Sequence, residues 1–332
     1  MFLQRPSVSP SAKGSRPLHS SAHHAFDTIQ LAGFKRLKSI MHLPRPSEAV
    51  LVAISHNVVL RRILFPLLWR LLQRDVTIRH HWTGDRIVLH LFRHKGYWWY
   101  GRRREEYLMR IVPRLLRSAD VAIDAGAHVG YWALWLGHVV GPTGHVYAFE
   151  PAPPQLPYLL ANADACRSQN VTVIQKALGS IAGRAPFFLE DFTGQSSSLI
   201  PGYWVTETAR HLSVVPIQVC EISVDVITLD AFLKDHQITP RFVKIDTEGT
   251  ELEVLTGGVM MLRQIRPRLI VEVTRQEEHV AALLDSVGYR ILDPHNGRVL
   301  PPEKCKEPRT VLAIPREEDV SALGCWSGGC DP

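Results

Sequence analysis

From residue 121 onward the sequence alternates between short apolar runs and longer mixed segments, and this rhythm constrains the fold more than any other feature. The apolar runs predict strands at residues 121–124, 145–149, 171–178, 242–245 and 269–273. The segments between them predict helices at residues 129–140, 154–168, 251–263 and 277–287. Strands connected by helices run parallel and are buried on both faces. This part of the chain therefore predicts an α/β fold with a mostly parallel sheet between two layers of helices.

Two parts of this region depart from the alternation. Late strands at residues 289–292 and 310–314 lie close in sequence, with a loop rich in Pro and Gly between them. Such proximity favours an antiparallel pair, which we place at the edge of the sheet. Residues 184–224 fit no strand–helix unit. We expect this insert to form short strands and a loop beside the ligand crevice.

The region before residue 119 has a different organisation. Residues 1–47 repeat Pro, Ser and His without apolar periodicity, so we expect a disordered basic extension. Residues 48–118 predict an amphipathic helix to about residue 74, then a small antiparallel unit with strands at 75–81, 86–92 and 97–100, and a helix at 105–117. Residues 119–316 form the predicted main domain, and residues 317–332 form a tail.

Charge is distributed unevenly along the chain. The net charge is +6, but residues 1–118 carry +15 and the remainder carries −9. The basic part is either a solvated extension or a surface that attracts an anionic partner such as a membrane. The longest strongly apolar run has about seven residues, whereas roughly 18 are needed to span a bilayer. Together with the lack of a signal-like apolar stretch, this favours a cytoplasmic protein, with peripheral membrane binding as the alternative.

The turn after the first main-domain strand has the features of a ligand-binding loop. An acid, Asp124, ends the strand, and Gly126 and Gly130 follow before the predicted helix. Gly126 permits a tight turn and close approach of a ligand, and the helix N-terminus offers free N–H groups. A dinucleotide site would need G-x-G-x-x-G, whereas this turn reads D-x-G-x-x-x-G. That pattern favours S-adenosylmethionine, whose amino-acid portion carries an ammonium and a carboxylate.

The ends of the next two strands fit the rest of such a cofactor. Glu150 ends the second strand, where an acid is placed to accept hydrogen bonds from both ribose hydroxyls. The alternative is a solvated glutamate at a strand end. Ala177, at the end of the third predicted strand, is expected near the adenine ring.

The fourth strand carries ionisable residues where apolar ones are usual. Lys244, Asp246 and Glu248 stand at i, i+2 and i+4, which places them on one face of an extended segment. Burying such charges is costly unless they pair. A structural salt bridge is one interpretation. The position at the carboxyl edge of the sheet, where open α/β sheets bind ligands, favours a catalytic role.

Five sequence strings together resemble one known family. They are IDAGAHVGYWAL, GHVYAFEP, QSSSL, VKIDTEGTELEVLTGG and RPRLIVEV, in this order. They resemble the FkbM-type methyltransferases, S-adenosylmethionine-dependent enzymes with a seven-stranded class I Rossmann-like fold. The resemblance implies cofactor binding by Asp124, Gly126, Gly130 and Glu150. We expect Ala127 and His128 of the same turn, and Ala177, to contact the cofactor as well. The resemblance places Lys244, Asp246 and Glu248 beside the reactive centre, and His128 stands where the family commonly has Asn.

The resemblance implies O-methylation of a hydroxyl on a sugar, glycan or secondary metabolite, and two routes follow. In one, Asp246 or Glu248 removes the hydroxyl proton while Lys244 orients the base or stabilises the oxyanion. In the other, Asp246 and Glu272 bind Mg²⁺, which lowers the pKa of the hydroxyl. The alternatives are an N-methyltransferase, an RNA or protein methyltransferase, and a non-catalytic cofactor-binding homologue. The basic N-terminal part would suit an RNA or protein methyltransferase, but no N-P-P-Y-like string supports an amine-methylating site, and we expect no nucleic-acid partner.

Overall fold

A small hairpin and two helices precede the main sheet. This computed structural model describes Leu67 and residues 70–190, 197–203 and 219–320. Strands β1 (Asp75–Arg79) and β2 (Arg86–His90) pair antiparallel, and Gly84 lies in the turn with φ +73°. Helices α1 (Lys95–Tyr100) and α2 (Glu106–Leu115) follow. The predicted extension 1–47, most of the predicted helix up to residue 74 and the tail from residue 321 lie outside the described residues.

The predicted strand at residues 97–100 is wrong, because α1 occupies this segment. Its aromatic residues favour a strand locally, but tertiary contacts decide the conformation. The Trp98 indole donates to the carbonyl of Leu91 at 2.7 Å, and the Tyr97 ring packs on Tyr131 with centroids 5.0 Å apart. The small antiparallel unit therefore has two described strands instead of three.

The main domain alternates strands and helices as predicted. In order it contains β3 (Val121–Ala125), α3 (Tyr131–Val140), β4 (His145–Phe149), α4 (Leu156–Ala165), β5 (Val171–Ile174), β6 (Ala177–Leu178), β7 (Gly183–Glu190), β8 (Val219–Ile227), α5 (Leu229–His236), β9 (Phe242–Ile245), α6 (Glu251–Thr256), β10 (Arg268–Val273), α7 (Glu277–Ser286), β11 (Tyr289–Leu292) and β12 (Arg309–Pro315). A π-helical turn (Met261–Ile265) follows α6 where one continuous helix was predicted.

The central sheet confirms the predicted fold class. Among the described residues it has seven strands in the order β11-β12-β10-β9-β3-β4-β5. β12 runs antiparallel to both of its neighbours, and the pairs from β10 to β5 are parallel. This is the mostly parallel α/β sheet with an antiparallel edge that the sequence predicts. Because β3 and β9 are parallel neighbours, the Gly126 turn after β3 and the acidic loop after the Lys244 strand lie at the same edge.

A second sheet of three described strands, in the order β6-β8-β7, stands beside the central one. The predicted strand 171–178 divides into β5 in the central sheet and β6 in the smaller sheet. The predicted insert thus contains β7 and the start of β8, while residues 191–196 and 204–218 lie outside the described part of the chain. This sheet places Phe187 beside the carboxyl edge of the central sheet, and an isolated bridge between Phe188 and Ser198 holds Ser197 there.

The hairpin and the main domain share one hydrophobic core. Buried residues of β1, β2 and α2 belong to the same cluster as those of α3 and the sheet. Asn162 on α4 fixes this junction, since its side chain bonds both backbone groups of Val88 (2.6 and 3.1 Å) and the carbonyl of Val129 (2.8 Å). None of the described helices has the length and apolar character that crossing a membrane requires.

Candidate active site

A cavity of about 270 Å³ opens at the carboxyl edge of the central sheet. Its charged and polar walls come from three parts of the chain. The N-terminal unit contributes Tyr97, Arg104 and Glu105; the β3 and β4 ends contribute Gly126, His128 and Glu150; the β9 and β10 ends contribute Asp246, Glu248 and Glu272. Lys176 and Ala177 line it beside β6, and Phe187, Ser197 and Leu199 line it from the insert.

The first turn is held by close backbone packing. Gly126 has φ +82°, and a Cβ placed there would lie 1.8 Å from the carbonyl oxygen of Asp246. The N–H groups of Gly126 and Ala127 both donate to the carbonyl of Phe149, at 3.0 and 2.9 Å. The N–H of Asp246 donates to the carbonyl of Ala125 at 3.0 Å. A residue without a side chain is therefore required where these three strand ends meet.

Glu150 is a buried carboxylate that bridges two loops. One of its oxygens accepts the N–H of His128 at 2.8 Å, and the other accepts the N–H of Ala152 at 2.9 Å. Burial raises the pKa of Glu150 to about 7, although these two hydrogen bonds oppose the rise. Each carboxylate oxygen retains accepting capacity for a ligand hydroxyl, because a carboxylate has about four lone-pair sites.

His128 is joined to the N-terminal unit. It has φ +51°, and its Nδ1 lies 3.0 Å from the hydroxyl of Tyr97. Burial lowers the pKa of His128 to about 3, so the imidazole is neutral. Burial also raises the pKa of Tyr97, which keeps the phenol protonated and able to donate to Nδ1.

Lys244 forms a buried ion pair beneath the cavity. Its Nζ lies 3.0 Å from Asp246 Oδ2 and 3.5 Å from Asp124 Oδ1. Burial alone would lower the pKa of Lys244, but Asp246 and Asp124 outweigh it and the net shift is upward. The side chain of Asp124 has no exposed surface, and Lys244 has 5%. The two residues therefore position Asp246 from below.

The acids at the β9 and β10 ends repel one another. Asp246 and then burial raise the pKa of Glu272 to about 8. Burial, followed by Asp246 and Glu272, raises the pKa of Glu248 well above its usual range. Glu248 has φ +53°, and its carbonyl accepts the Ser198 hydroxyl at 2.6 Å. Carboxyl groups with raised pKa values in a cleft are candidates for proton transfer.

The predicted site residues thus separate into two layers. Gly126, His128, Glu150, Ala177, Asp246, Glu248 and Glu272 line the cavity. Asp124, Ala127, Gly130 and Lys244 lie outside that lining and support it from behind. Gly130, for example, begins α3 with φ +87°, and a Cβ there would approach Leu159 to 2.8 Å.

The predicted Mg²⁺ site at Asp246 and Glu272 is not supported by the structure. Among the described residues there is no group of three or more His, Cys, Asp or Glu side chains that could hold a metal. Asp246 already accepts an ammonium donor, and the Arg104 cation is a neighbour of both Asp246 and Glu272. Asp246 is thus already engaged by Lys244, and the described residues offer no set of ligands that supports Mg²⁺ binding.

Sequence reasoning missed two groups of residues. Tyr97, Arg104 and Glu105 line the cavity, but Arg104 and Glu105 belong to a run of charged residues that is typical of solvated surface.

The second group is a single residue, Glu251, which is fully buried and organises the loop that carries Asp246 and Glu248. Its Oε1 accepts the N–H groups of Gly249 (2.8 Å) and Thr247 (3.2 Å), and its Oε2 accepts the Thr274 hydroxyl at 3.1 Å. The one sequence feature that could have indicated this role is that Glu251 ends the acidic run that begins at Asp246.

A family model for the FkbM methyltransferase domain matches residues 124–291, half of the chain. The chain belongs to this family. The match begins at Asp124 and contains the first turn, Glu150 and the strand with Lys244. It leaves the N-terminal wall of the cavity outside.

Two curated relatives are similar to part of this chain. The 31-O-demethyl-FK506 methyltransferase FkbM of Streptomyces tacrolimicus is 32% identical over 159 residues, which cover 43% of this chain and 60% of the relative. The hexuronic acid methyltransferase AglP of Haloferax volcanii is 25% identical over 172 residues, which cover 52% of this chain and 63% of the relative. This chain thus spans less than two thirds of the length of either relative.

Solved structures resemble the chain more distantly. The methyltransferase FkbM of Methylobacillus flagellatus is 19% identical with a TM-score of 0.38, covering 60% of this chain and 44% of that one. Aeropyrum pernix fibrillarin, solved with bound S-adenosylmethionine, is 15% identical with a TM-score of 0.32, covering 60% of this chain and 67% of that one.

Proposed function

We propose that this FkbM-family chain is an S-adenosylmethionine-dependent methyltransferase that O-methylates a sugar, a glycan or a secondary metabolite. One observation carries the proposal: a single cavity joins Glu150 and the Gly126 turn on one side to Asp246 and Glu248 on the other. The first pair suits a nucleoside, and the second suits the reacting centre.

The cofactor half of the cavity has donor and acceptor groups in suitable places. The Gly126 turn leaves room for a ligand against the backbone. Glu150 would accept hydrogen bonds from ribose hydroxyls at the end of β4, and Ala177 would contact the adenine ring. The bound cofactor would supply an electrophilic methyl group on a sulfonium.

The acceptor half contains a base for a hydroxyl. The attacking oxygen must lie roughly 3 Å from the methyl carbon, opposite the sulfur. Glu248, when ionised, would take the hydroxyl proton as the O–C bond forms and the C–S electron pair returns to sulfur. Burial and the neighbouring acids raise the pKa of Glu248, which makes the ionised carboxylate a stronger base than an ordinary glutamate. Asp246, held from below by Lys244, would face the positive charge of the sulfonium.

The name of one relative supports oxygen as the target atom, and both names bear on the acceptor. One is a 31-O-demethyl-FK506 methyltransferase, and the other is a hexuronic acid methyltransferase. Both names describe acceptors that are small molecules or sugars. We therefore propose a small-molecule or glycan acceptor in preference to nucleic acid.

Calorimetry with S-adenosylhomocysteine tests the cofactor site. We expect binding by the wild-type chain, and a loss of affinity of about tenfold or more for Glu150→Ala. Asp225→Ala is the control, because this carboxylate lies on an exposed part of β8 away from the cavity. Absence of binding by the wild-type chain would contradict the proposal.

Labelled methyl transfer tests the acceptor. The chain is supplied with methyl-labelled cofactor and, in separate reactions, a pool of metabolites and glycans, total RNA, or protein. We expect label in an alkali-stable ether of the first pool, and its loss with Glu248→Gln. Transfer of the label to RNA or protein would indicate an RNA or protein methyltransferase instead. Cofactor binding without transfer to any pool would indicate a non-catalytic homologue.

A further inference from the structure

We propose that Arg104 and Glu105 together bind the amino-acid end of the cofactor, Arg104 its carboxylate and Glu105 its ammonium. This inference rests on the proposed function and assigns a subsite to residues outside the FkbM-matched segment, which begins at residue 124. Both side chains line the cavity. Neighbouring residues of opposite charge suit a zwitterion, whose two charged groups are separated by a single carbon.

The Arg104 guanidinium is fixed against the first turn. It lies over the Tyr97 ring, 4.6 Å from the centroid, and the Tyr97 hydroxyl bonds His128 in that turn. The stacked face leaves the edge of the guanidinium available, and only Nη2 contacts Glu105, at 3.3 Å. An arginine has five N–H donors in a planar fork that matches a carboxylate. A carboxylate beside His128 would therefore meet an oriented partner.

Glu105 is held in a conformation that a glutamate rarely adopts. Its φ is +52° at the start of α2, and its Oε2 accepts the Trp132 indole N–H at 2.5 Å. Strained backbone at a cavity wall persists only when surrounding contacts impose it, and such strain is concentrated at functional sites. Trp132 belongs to the helix that follows the first turn. Glu105 is thus attached to the same turn as Arg104.

Accessibility distinguishes this pair from the other ion pair of the site. The Arg104 and Glu105 side chains are 26% and 21% exposed, whereas Lys244 and Asp124 are 5% and 0% exposed. A ligand can touch the first pair but not the second. The acid predicted to recognise the amino-acid portion, Asp124, is therefore beneath the wall. Lys176, another cation of the lining, lies between β5 and β6 at the opposite, nucleoside side.

Three ligands separate the two charges in a binding experiment. They are S-adenosylhomocysteine, its analogue without the carboxylate and its analogue without the amino group, each titrated calorimetrically into the full chain. We expect Arg104→Gln to weaken the parent and the desamino analogue about 10- to 100-fold and to leave the descarboxy analogue within about threefold. Glu105→Gln should show the reverse selectivity, weakening the parent and the descarboxy analogue.

Arg102→Gln is the matched control, because this neighbouring guanidinium lies 4.4 Å from the Trp82 ring centroid and is not part of the cavity lining. Retained affinity for the insensitive analogue shows that each variant is folded.

Equal effects of Arg104→Gln on all three ligands, or no effect on any, would overturn the inference. If the wild-type chain and Arg102→Gln bind none of the ligands, the proposed cofactor site itself is wrong. An Arg104→Gln variant that binds all three normally but no longer binds a uronic acid would assign this cation to an acidic acceptor instead.

Discussion

The carbonyl oxygen of Asp246 occupies the space in which a side chain on Gly126 would begin, 1.8 Å from an ideal Cβ. The Gly126 turn after β3 and the acidic loop after β9 are thus packed backbone against backbone. A shift of either loop would move the other. This contact ties the proposed cofactor site to the proposed reactive centre.

Gly126→Ala should lower the free energy of unfolding by about 2–4 kcal/mol, because it adds a steric clash to left-handed strain. Gly202→Ala is the control: Gly202 also has a positive φ, +72°, but nothing lies within 4 Å of its Cβ position. The control should lose about 1 kcal/mol from strain alone. Urea denaturation measures both. Equal losses would show that the contact with Asp246 relaxes without cost.

Affinity for S-adenosylhomocysteine should depend on pH through Glu150. Burial raises the pKa of this carboxyl to about 7, and its ionised form is the better acceptor for ribose hydroxyls. We expect binding about three- to tenfold weaker at pH 6 than at pH 8. The free energy of unfolding depends on pH in the opposite direction. Because the pKa of Glu150 is higher in the folded chain, proton binding stabilises the fold at low pH, and this contribution is lost as the pH rises from about 4.5 through 7.

Glu150→Gln supplies the reference for this pH dependence. Glu248 and Glu272 also have raised pKa values, so part of the slope belongs to them. The difference between the wild-type and Glu150→Gln slopes isolates Glu150. A Glu150→Gln variant with the full wild-type slope would show that another carboxyl controls binding.

The parts of the site that the sequence predicts are those with a local cause. Asp124, Glu150 and Asp246 each end a short apolar run, and parallel strands bring their carboxyl ends to one edge. Gly126 is predictable because a tight turn needs a positive φ. These features depend on residues close in sequence and on the regular geometry of the sheet.

The N-terminal wall was not predictable for a physical reason. Arg104 and Glu105 are placed by contacts with Tyr97 and with Trp132, which is 27 residues beyond Glu105. The segment around Tyr97 has strand propensity but is helical, because its indole and phenol groups find partners in the core. The layering of Lys244 and Asp124 beneath Asp246 likewise depends on the packing of β3 against β9.

Lys244→Met should destabilise the fold by about 3–5 kcal/mol at neutral pH, since it leaves the Asp124 carboxylate buried without its cation. Adding Asp124→Asn should recover much of this loss. Burial raises the pKa of Asp124, so protonation is favoured in the folded state and the deficit of Lys244→Met should shrink as the pH falls. Chemical denaturation at pH 5 and pH 8 measures the change. A deficit independent of pH would contradict a charge-based cause.

Methyl transfer should proceed fully in a chelator. Asp246 already accepts a hydrogen bond from the Lys244 ammonium, and the described residues contain no group of three or more His, Cys, Asp or Glu side chains that could hold a metal. We expect the same rate in EDTA and in excess Mg²⁺, measured with labelled cofactor. Loss of activity in EDTA, restored by Mg²⁺, would instead support the metal route through Asp246 and Glu272.

Glu251→Gln should impair both the fold and the reaction, although Glu251 lies outside the cavity lining. All of its recorded partners are donors, including the N–H groups of Thr247 and Gly249 and the Thr274 hydroxyl. A glutamine would turn an amide N–H₂ toward one set of these donors, which should cost about 1–3 kcal/mol in the free energy of unfolding.

The effect on transfer should be larger on kcat than on the affinity for S-adenosylhomocysteine, because the loop from Asp246 to Gly249 carries the proposed base and not the ribose contact. Glu253→Gln is the control two residues further along α6, where the carboxylate accepts a weak bond from Gln276 at 3.4 Å and no other bond from the described residues. Denaturation, calorimetry and labelled transfer are measured on both variants. If Glu253→Gln reduces kcat as much as Glu251→Gln does, the loop is not specifically organised by Glu251.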